Sequence, residues 1–135
     1  MRWLPLVSLV LVACGTPTAT ATTSAHVTAS EAQSGSTLTL QRGDTLTVTL
    51  HSTYWTIDGS SDSAVLTAQG PAVTQGDPPS SHRCVPGGGC GTVTQNFAAV
   101  GTGTADVTAN RTTCGEALRC TTPEQGQWVV HVVVR

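Results

Sequence analysis

The feature that most constrains this chain is a strict alternation of polar and apolar side chains along several short segments. Residues 45–50 read Thr-Leu-Thr-Val-Thr-Leu, and residues 127–134 place Trp128 and three valines on one side. A period of two residues is typical of a β-strand with one buried face and one wet face. No window of useful length shows the period of an amphipathic helix. The alternation therefore predicts an all-β protein.

Seven such segments predict seven strands, because turn residues separate them. The predicted strands are residues 37–40, 45–50, 54–58, 64–69, 92–100, 104–110 and 127–134. Residues 70–81 carry three prolines and are predicted to be irregular loop. Seven short strands at close spacing favour a seven-stranded antiparallel immunoglobulin-like β-sandwich over residues 36–135.

The inward faces of these strands predict the hydrophobic core. Trp55, on the third strand, lies where such a sandwich places its core tryptophan. The predicted core comprises Leu38, Leu40, Leu46, Val48, Leu50, Trp55, Ile57, Val65, Val93, Phe97, Val107, Trp128, Val130 and Val132.

The N-terminus predicts export. Arg2 precedes a short apolar run, residues 4–12, which is too short to span a bilayer, since that takes about 20 residues. It reads as the apolar part of a signal peptide, residues 1–13. Residues 11–14 resemble a bacterial lipobox, in which Cys14 becomes the lipidated first residue. We therefore expect a lipid-anchored protein on the outer face of a bacterial cytoplasmic membrane. The alternative is an ordinary signal peptide with a chance cysteine.

A flexible tether is predicted between the anchor and the sandwich. Residues 15–35 are mostly threonine, alanine and serine, with too few large apolar residues to pack. With Cys14 they form the predicted segment 14–35, whose reach is on the order of 25 Å. The first strand of such a sandwich starts at the end that carries its second, fourth and sixth connections. The tether is therefore expected to leave from that end, called here the loop-bearing end.

The other four cysteines predict two disulfides. Five residues separate Cys84 from Cys90, and five separate Cys114 from Cys120. An even number of cysteines in an exported chain indicates disulfides, and the repeated spacing favours pairing within each couple. Cross-pairing between the two couples remains open, as does a zinc site, although the spacing is wide for zinc.

Charge and motifs exclude several function classes. Without Arg2 the chain has five arginines, no lysine and eight acidic residues, a formal charge of −3. That balance argues against nucleic acid as a partner. The four histidines are scattered, and no Gly-x-Ser-x-Gly nucleophile motif occurs. We therefore expect a monomer that is not an enzyme and uses no cofactor and no metal.

The connections between strands supply the candidate binding surface. In a seven-stranded sandwich the second, fourth and sixth connections lie at one end, here residues 51–53, 70–91 and 111–126. Both predicted disulfides fall in them, and stapling a loop reduces the entropy lost on binding. The candidate binding residues are Thr53, Tyr54, Gly87, Gly88, Gly89, Gly91, Arg111, Glu116 and Arg119.

Two family resemblances follow from particular segments. Residues 42–46, 60–66 and above all 97–109 resemble group 2 bacterial immunoglobulin-like modules. The layout of residues 38–134 resembles the chagasin-type inhibitors of papain-like cysteine proteases, with a Gly-Asp turn before the second strand and a glycine-rich loop before the fifth. The whole is also similar to small disulfide-containing lipoproteins of actinobacteria.

The chagasin resemblance implies that three loops at one end of the sandwich enter a protease cleft. Two loop signatures of that family differ here. Residues 51–55 replace its Asn-Pro-Thr-Thr-Gly loop, with Thr53 as the matching residue, and residues 110–114 replace its Arg-Pro-Trp loop, with Arg111 matching. The first hypothesis is thus a binding module for a protein or cell-wall ligand. The alternatives are a chagasin-like inhibitor and a wall spacer without a specific ligand.

Overall fold

The computed structural model describes residues 14–18, 23–78, 84–85, 87–115 and 118–135. Two β-sheets pack face to face, and a 3₁₀ turn (Glu31–Gln33) and a short helix α1 (Pro123–Gly126) lie between strands. The strands are β1 (His26–Ala29), β2 (Thr37–Leu40), β3 (Thr45–His51), β4 (Thr56–Ser60), β5 (Leu66–Ala68), β6 (Val73–Gly76), β7 (Gly91–Ala99), β8 (Gly103–Asn110), β9 (Thr113–Gly115), β10 (Leu118–Arg119) and β11 (Gln127–Val134). No helix in the described part of the chain is long and apolar enough to cross a membrane.

The sheet order is that of an immunoglobulin-like sandwich. One sheet runs β1-β3-β7-β5, with β6 also paired to β7, and the other runs β2-β11-β8-β4. Each of the seven predicted strands overlaps an observed one. The expectation of a fully antiparallel structure is wrong at two places, because β1 pairs parallel to β3 and β2 pairs parallel to β11. The N-terminal arm, residues 26–40, reverses direction at the 3₁₀ turn. Its first half, β1, therefore runs parallel to β3, and its second half, β2, runs parallel to β11.

Two strands lie where the sequence predicted irregular chain. β1 falls within the predicted tether, and β6 falls within the predicted loop 70–81. β1 has one large apolar residue, Val27, which packs against the core, while the small Ala29 is fully buried. β6 is exposed along its whole length, so no buried face marks it in the sequence. Both strands are held by their neighbours' hydrogen bonds.

The core lies between the two sheets. Twelve of the fourteen predicted core residues are buried, while Leu38 and Ile57 are only partly buried. Ala29, Leu66 and Ala99 are buried without having been predicted. Leu66 lies in a three-residue strand, which is too short to show a period.

The chain enters the sandwich at the end opposite the three loops. β1 runs alongside β3 from its first residue, with His26 paired to Thr45. Just before it, the Ala25 N–H donates to Asp44 Oδ1 at 2.8 Å, and the Thr45 N–H donates to the Ala25 carbonyl at 3.0 Å. The expectation that the tether leaves from the loop-bearing end is therefore wrong, since β1 adds one more pass of chain before β2.

The hydrogen bonds to the Asp44 carboxylate predict that the folded state is less stable in acid. The backbone N–H of Gln41, and after it that of Ala25, donate to its carboxylate and hold its pKa below the ordinary value. This stabilisation is complete above the ordinary aspartate pKa of about 3.9 and is lost as the pH falls through the lower pKa of the folded state. Urea titrations of the native chain and of Asp44→Asn measure the free energy of unfolding of each. The difference between the two free energies should become smaller as the pH falls below about 4. A constant difference between the two curves would contradict this assignment.

Candidate functional site: the loop end of the sandwich

Three connections meet at one end of the sandwich, called here the loop end. They are residues 52–55 between β3 and β4, residues 84–85 and 87–90 before β7, and residues 111–115 and 118–126 between β8 and β11. The Thr53 N–H donates to the Gly89 carbonyl at 2.8 Å, and Tyr54 Oη donates to the Gly87 carbonyl at 2.5 Å. The first two connections are thus hydrogen-bonded to each other.

The packing at the start of β7 requires glycine at positions 89 and 91. Gly89 has φ +68°, and a Cβ there would overlap the Tyr54 ring. Gly91 has φ +143°, and a Cβ there would lie 2.8 Å from Thr53 Cγ2 and would overlap the Gln75 carbonyl. The run of glycines therefore lets the loop backbone lie directly against the β3–β4 connection.

Both disulfides form within their own couples, as the spacing predicted. The Cα atoms of Cys84 and Cys90 are 5.9 Å apart, and those of Cys114 and Cys120 are 5.1 Å apart. Cross-pairing and a zinc site are therefore wrong. In the chain-entropy model, closing loops this short stabilises by roughly 2–3 kcal/mol each. Both disulfides also restrict the shape of the loop end.

The third connection is held by α1. Thr122 is its N-cap residue and Pro123 its first residue, where the missing N–H costs nothing. Gln125 Oε1 accepts the N–H and the hydroxyl of Thr121, at 2.8 and 3.0 Å. The Gln125 carbonyl accepts Arg111 Nε at 2.8 Å, and the Gly126 carbonyl accepts the Arg111 N–H at 2.9 Å.

Arg111 connects the third loop to the first. Its guanidinium lies over the Trp55 ring, 4.5 Å from the ring centroid. Trp55 is buried, as predicted, and its indole N–H has no hydrogen-bond partner among the described residues. Such a cation–π contact is worth about 0.5–1 kcal/mol where it is partly exposed. The sequence pointed to both residues separately but not to their contact.

His51 and Glu31 form a further contact that the sequence did not indicate. His51 Nδ1 lies 2.9 Å from Glu31 Oε2, and the His51 N–H donates to Glu31 Oε1. Burial raises the pKa of the Glu31 carboxyl, but the hydrogen bonds from His51 and from the Glu31 backbone, together with the charge of His51, lower it by more, so the pKa lies below its usual value. This contact joins the 3₁₀ turn to the end of β3. No sequence signal identifies it, since the partners lie 20 residues apart.

Two clefts open beside these loops. One, of about 360 Å³, lies where the three connections meet, and its lining includes His51, Gly89, Cys90, Arg111 and Cys114. The other, of about 730 Å³, lies along the third connection, and its lining includes Arg111 and Arg119.

The loop end brings together six of the candidate binding residues, which are Thr53, Tyr54, Gly87, Gly88, Gly89 and Gly91. Arg111 lines the smaller cleft with Gly88, Gly89 and Gly91. Arg119 lies apart from them, on β10. Glu116 and the predicted signal peptide lie outside the described residues.

No protein-family model and no curated protein matches this chain. Solved structures do match. The cysteine protease inhibitor EhICP2 from Entamoeba histolytica has a TM-score of 0.55 and 11% sequence identity, covering 82% of this chain and 96% of its own. Amebosin, known from a solution structure, has a TM-score of 0.53 and 15% identity, covering 82% of this chain and 98% of its own.

These similarities define the fold class. The chain is a two-sheet sandwich with a chagasin-like, immunoglobulin-like fold, and it carries two disulfides. Disulfides persist in oxidising surroundings, which indicates an extracytoplasmic location.

Proposed function

We propose that this chain is a non-catalytic inhibitor that blocks the cleft of papain-type cysteine proteases with its loop end. The observation that carries the proposal is the joining of three loops into one surface on a chagasin-like scaffold. EhICP2, which has the same fold, is a cysteine protease inhibitor. This proposal replaces the broader hypothesis of a module for a protein or cell-wall ligand with one kind of partner, a cysteine protease.

Rigidity of the loop end supports this function. Binding costs about 0.5–1.5 kcal/mol for each side chain that it immobilises, and more for mobile backbone. Here the Thr53–Gly89 and Tyr54–Gly87 hydrogen bonds and two disulfides fix the backbone before any partner arrives. The loop end would therefore enter a protease cleft with little loss of entropy.

The shape of the loop end also supports it. Gly87 has open space around the position of a Cβ, so the loop is narrow where it faces outward. A backbone without side chains can approach a partner's backbone closely. Beside it, Arg111 offers a positive charge to the carboxylates and carbonyls of a cleft. Narrowness and charge are thus properties of this chain's own residues, although its loop sequences differ from those of the chagasin type.

Inhibition of papain by the purified chain tests the proposal. We expect Arg111→Ala to weaken inhibition about tenfold, or about 1.4 kcal/mol, because it removes both the charge and the Trp55 contact. Arg42→Ala is the matched control, since Arg42 is exposed at the opposite end, and it should inhibit like the native chain. No inhibition at micromolar concentration would remove the proposal and leave the broader ligand-binding hypothesis, to be pursued by pull-down.

We further propose that Cys14 carries a lipid anchor. Cys14 is exposed and is the one cysteine outside the two disulfides. The chain enters the sandwich opposite the loop end, so an anchor there would leave the loops pointing away from the membrane. Mass spectrometry of membrane-associated protein should find an N-terminal lipid-modified Cys14. An unmodified Cys14 in that fraction would contradict the anchor.

A further inference from the structure

Gly88 places no side chain against the Cys84–Cys90 disulfide. A Cβ at Gly88 would lie 3.2 Å from Cys84 Sγ and 3.5 Å from Cys90 Sγ. Gly88 is not among the glycines with positive φ, so its backbone conformation is open to other residues. A side chain at position 88 would therefore lie against both sulfurs and, at 3.0 Å, against the Val85 carbonyl, whereas the bare Cα keeps that space free.

This disulfide also borders the cleft where the three loops meet. Gly88 and Cys90 line that cleft together with Arg111 and His51, and among the described residues Asp77 is the one carboxylate of its lining. The guanidinium of Arg111 is always protonated, whereas His51 is already paired with the Glu31 carboxylate. A positive neighbour attracts a thiolate and stabilises it relative to the thiol. The cleft therefore combines an electrophilic sulfur with a charge that draws a sulfur nucleophile.

We propose that the Cys84–Cys90 disulfide reacts with the catalytic thiolate of the bound protease; this inference rests on the proposed function. The thiolate attacks Sγ of Cys90, which is the cysteine of the pair that lines the cleft, and a new S–S bond forms. The Cys84–Cys90 bond breaks, and its electron pair leaves on Cys84 Sγ as a thiolate. The protease cysteine is oxidised as Cys84 is reduced, so no outside oxidant is needed.

The same exchange runs backwards. The Cys84 thiolate stays in the same short loop as Cys90 and can attack Cys90 Sγ, which releases the protease thiolate and restores the disulfide. The covalent complex is therefore reversible. It prolongs the residence of an inhibitor that already binds without a covalent bond.

The test uses the full chain with Cys14→Ser, which leaves no free thiol. It is mixed with activated papain freed of small thiols, then alkylated and examined by non-reducing electrophoresis and peptide mass spectrometry. We expect an adduct of the two chains, joined through Cys90 and removed by dithiothreitol. Gly88→Val covers the sulfurs and should slow adduct formation about tenfold, with thermal stability of the chain as its control.

Two disulfide variants separate covalent capture from binding. The pair Cys114→Ser and Cys120→Ser should still form the adduct, whereas the pair Cys84→Ser and Cys90→Ser should form none and should inhibit more weakly than the native chain, because its loop is no longer closed by a disulfide. Inhibition by the Cys14→Ser chain without any adduct overturns the exchange and leaves the proposed function standing. Absence of inhibition overturns the proposed function, and the exchange with it. An adduct through Cys120 or Cys114, or an unchanged rate in Gly88→Val, also overturns the exchange.

Discussion

Gly89→Ala should reduce inhibition of papain about a hundredfold. The added Cβ would overlap the Tyr54 ring, so the ring must move. The hydrogen bond from Tyr54 Oη to the Gly87 carbonyl is then lost, and the β3–β4 connection is no longer held against the glycine-rich loop. Inhibition constants for the native chain and the variant measure the effect.

Gly70→Ala is the matched control for this substitution. Gly70 has φ +82°, close to the +68° of Gly89, so both variants carry a similar backbone cost of roughly 1–2 kcal/mol. A Cβ at Gly70 meets nothing within 4 Å. Gly70→Ala should therefore lose some stability and keep its inhibition. Equal inhibition by both variants would show that the Tyr54 contact does not shape the binding surface.

Leu46→Ala should lower the free energy of unfolding by about 2–5 kcal/mol. Leu46 is fully buried in β3, paired with Val27 on β1 and with Phe97 on β7. Truncation removes apolar contacts and leaves a cavity in the core, which the neighbouring strands β1 and β7 cannot close because they are paired with β3 on either side. Chemical denaturation followed by tryptophan fluorescence measures the loss.

Leu118→Ala gives the reference for the same chemical change at the surface. Leu118 is 65% exposed on β10, so its truncation should change the unfolding free energy by less than about 0.5 kcal/mol. If the two leucine variants were equally stable, the assignment of the core between the sheets would be wrong.

The strands and the disulfide pairing could be predicted because their signals are local. The alternation over β3 and β11 spans seven and eight residues, long enough to separate a strand from a helix. The pairing of Cys84 with Cys90 follows from equal short spacing. The meeting of three loops at one end follows from the order of strands in such a sandwich, and the contacts of Thr53 and Gly89 agree with it.

The parts that could not be predicted depend on contacts between distant residues. β1 is a strand because β3 accepts it as a neighbour, and the alternation over its four residues is too short, with Val27 as the one large apolar side chain, to identify it within a segment rich in threonine, alanine and serine. The His51–Glu31 pair and the stacking of Arg111 on Trp55 join residues 20 and 56 positions apart. Such contacts are set by tertiary structure and leave no pattern in a single sequence.

The parallel alignment of β1 with β3 governs how the molecule carries mechanical load. A pull on the residues before His26 acts along the axis of β1, while a partner seated at the far end of the sandwich resists it. The interstrand hydrogen bonds lie across that axis, so they are strained in shear and must yield together, whereas a peeling geometry would break them one at a time. The N-terminal arm is thus arranged to resist extraction under tension.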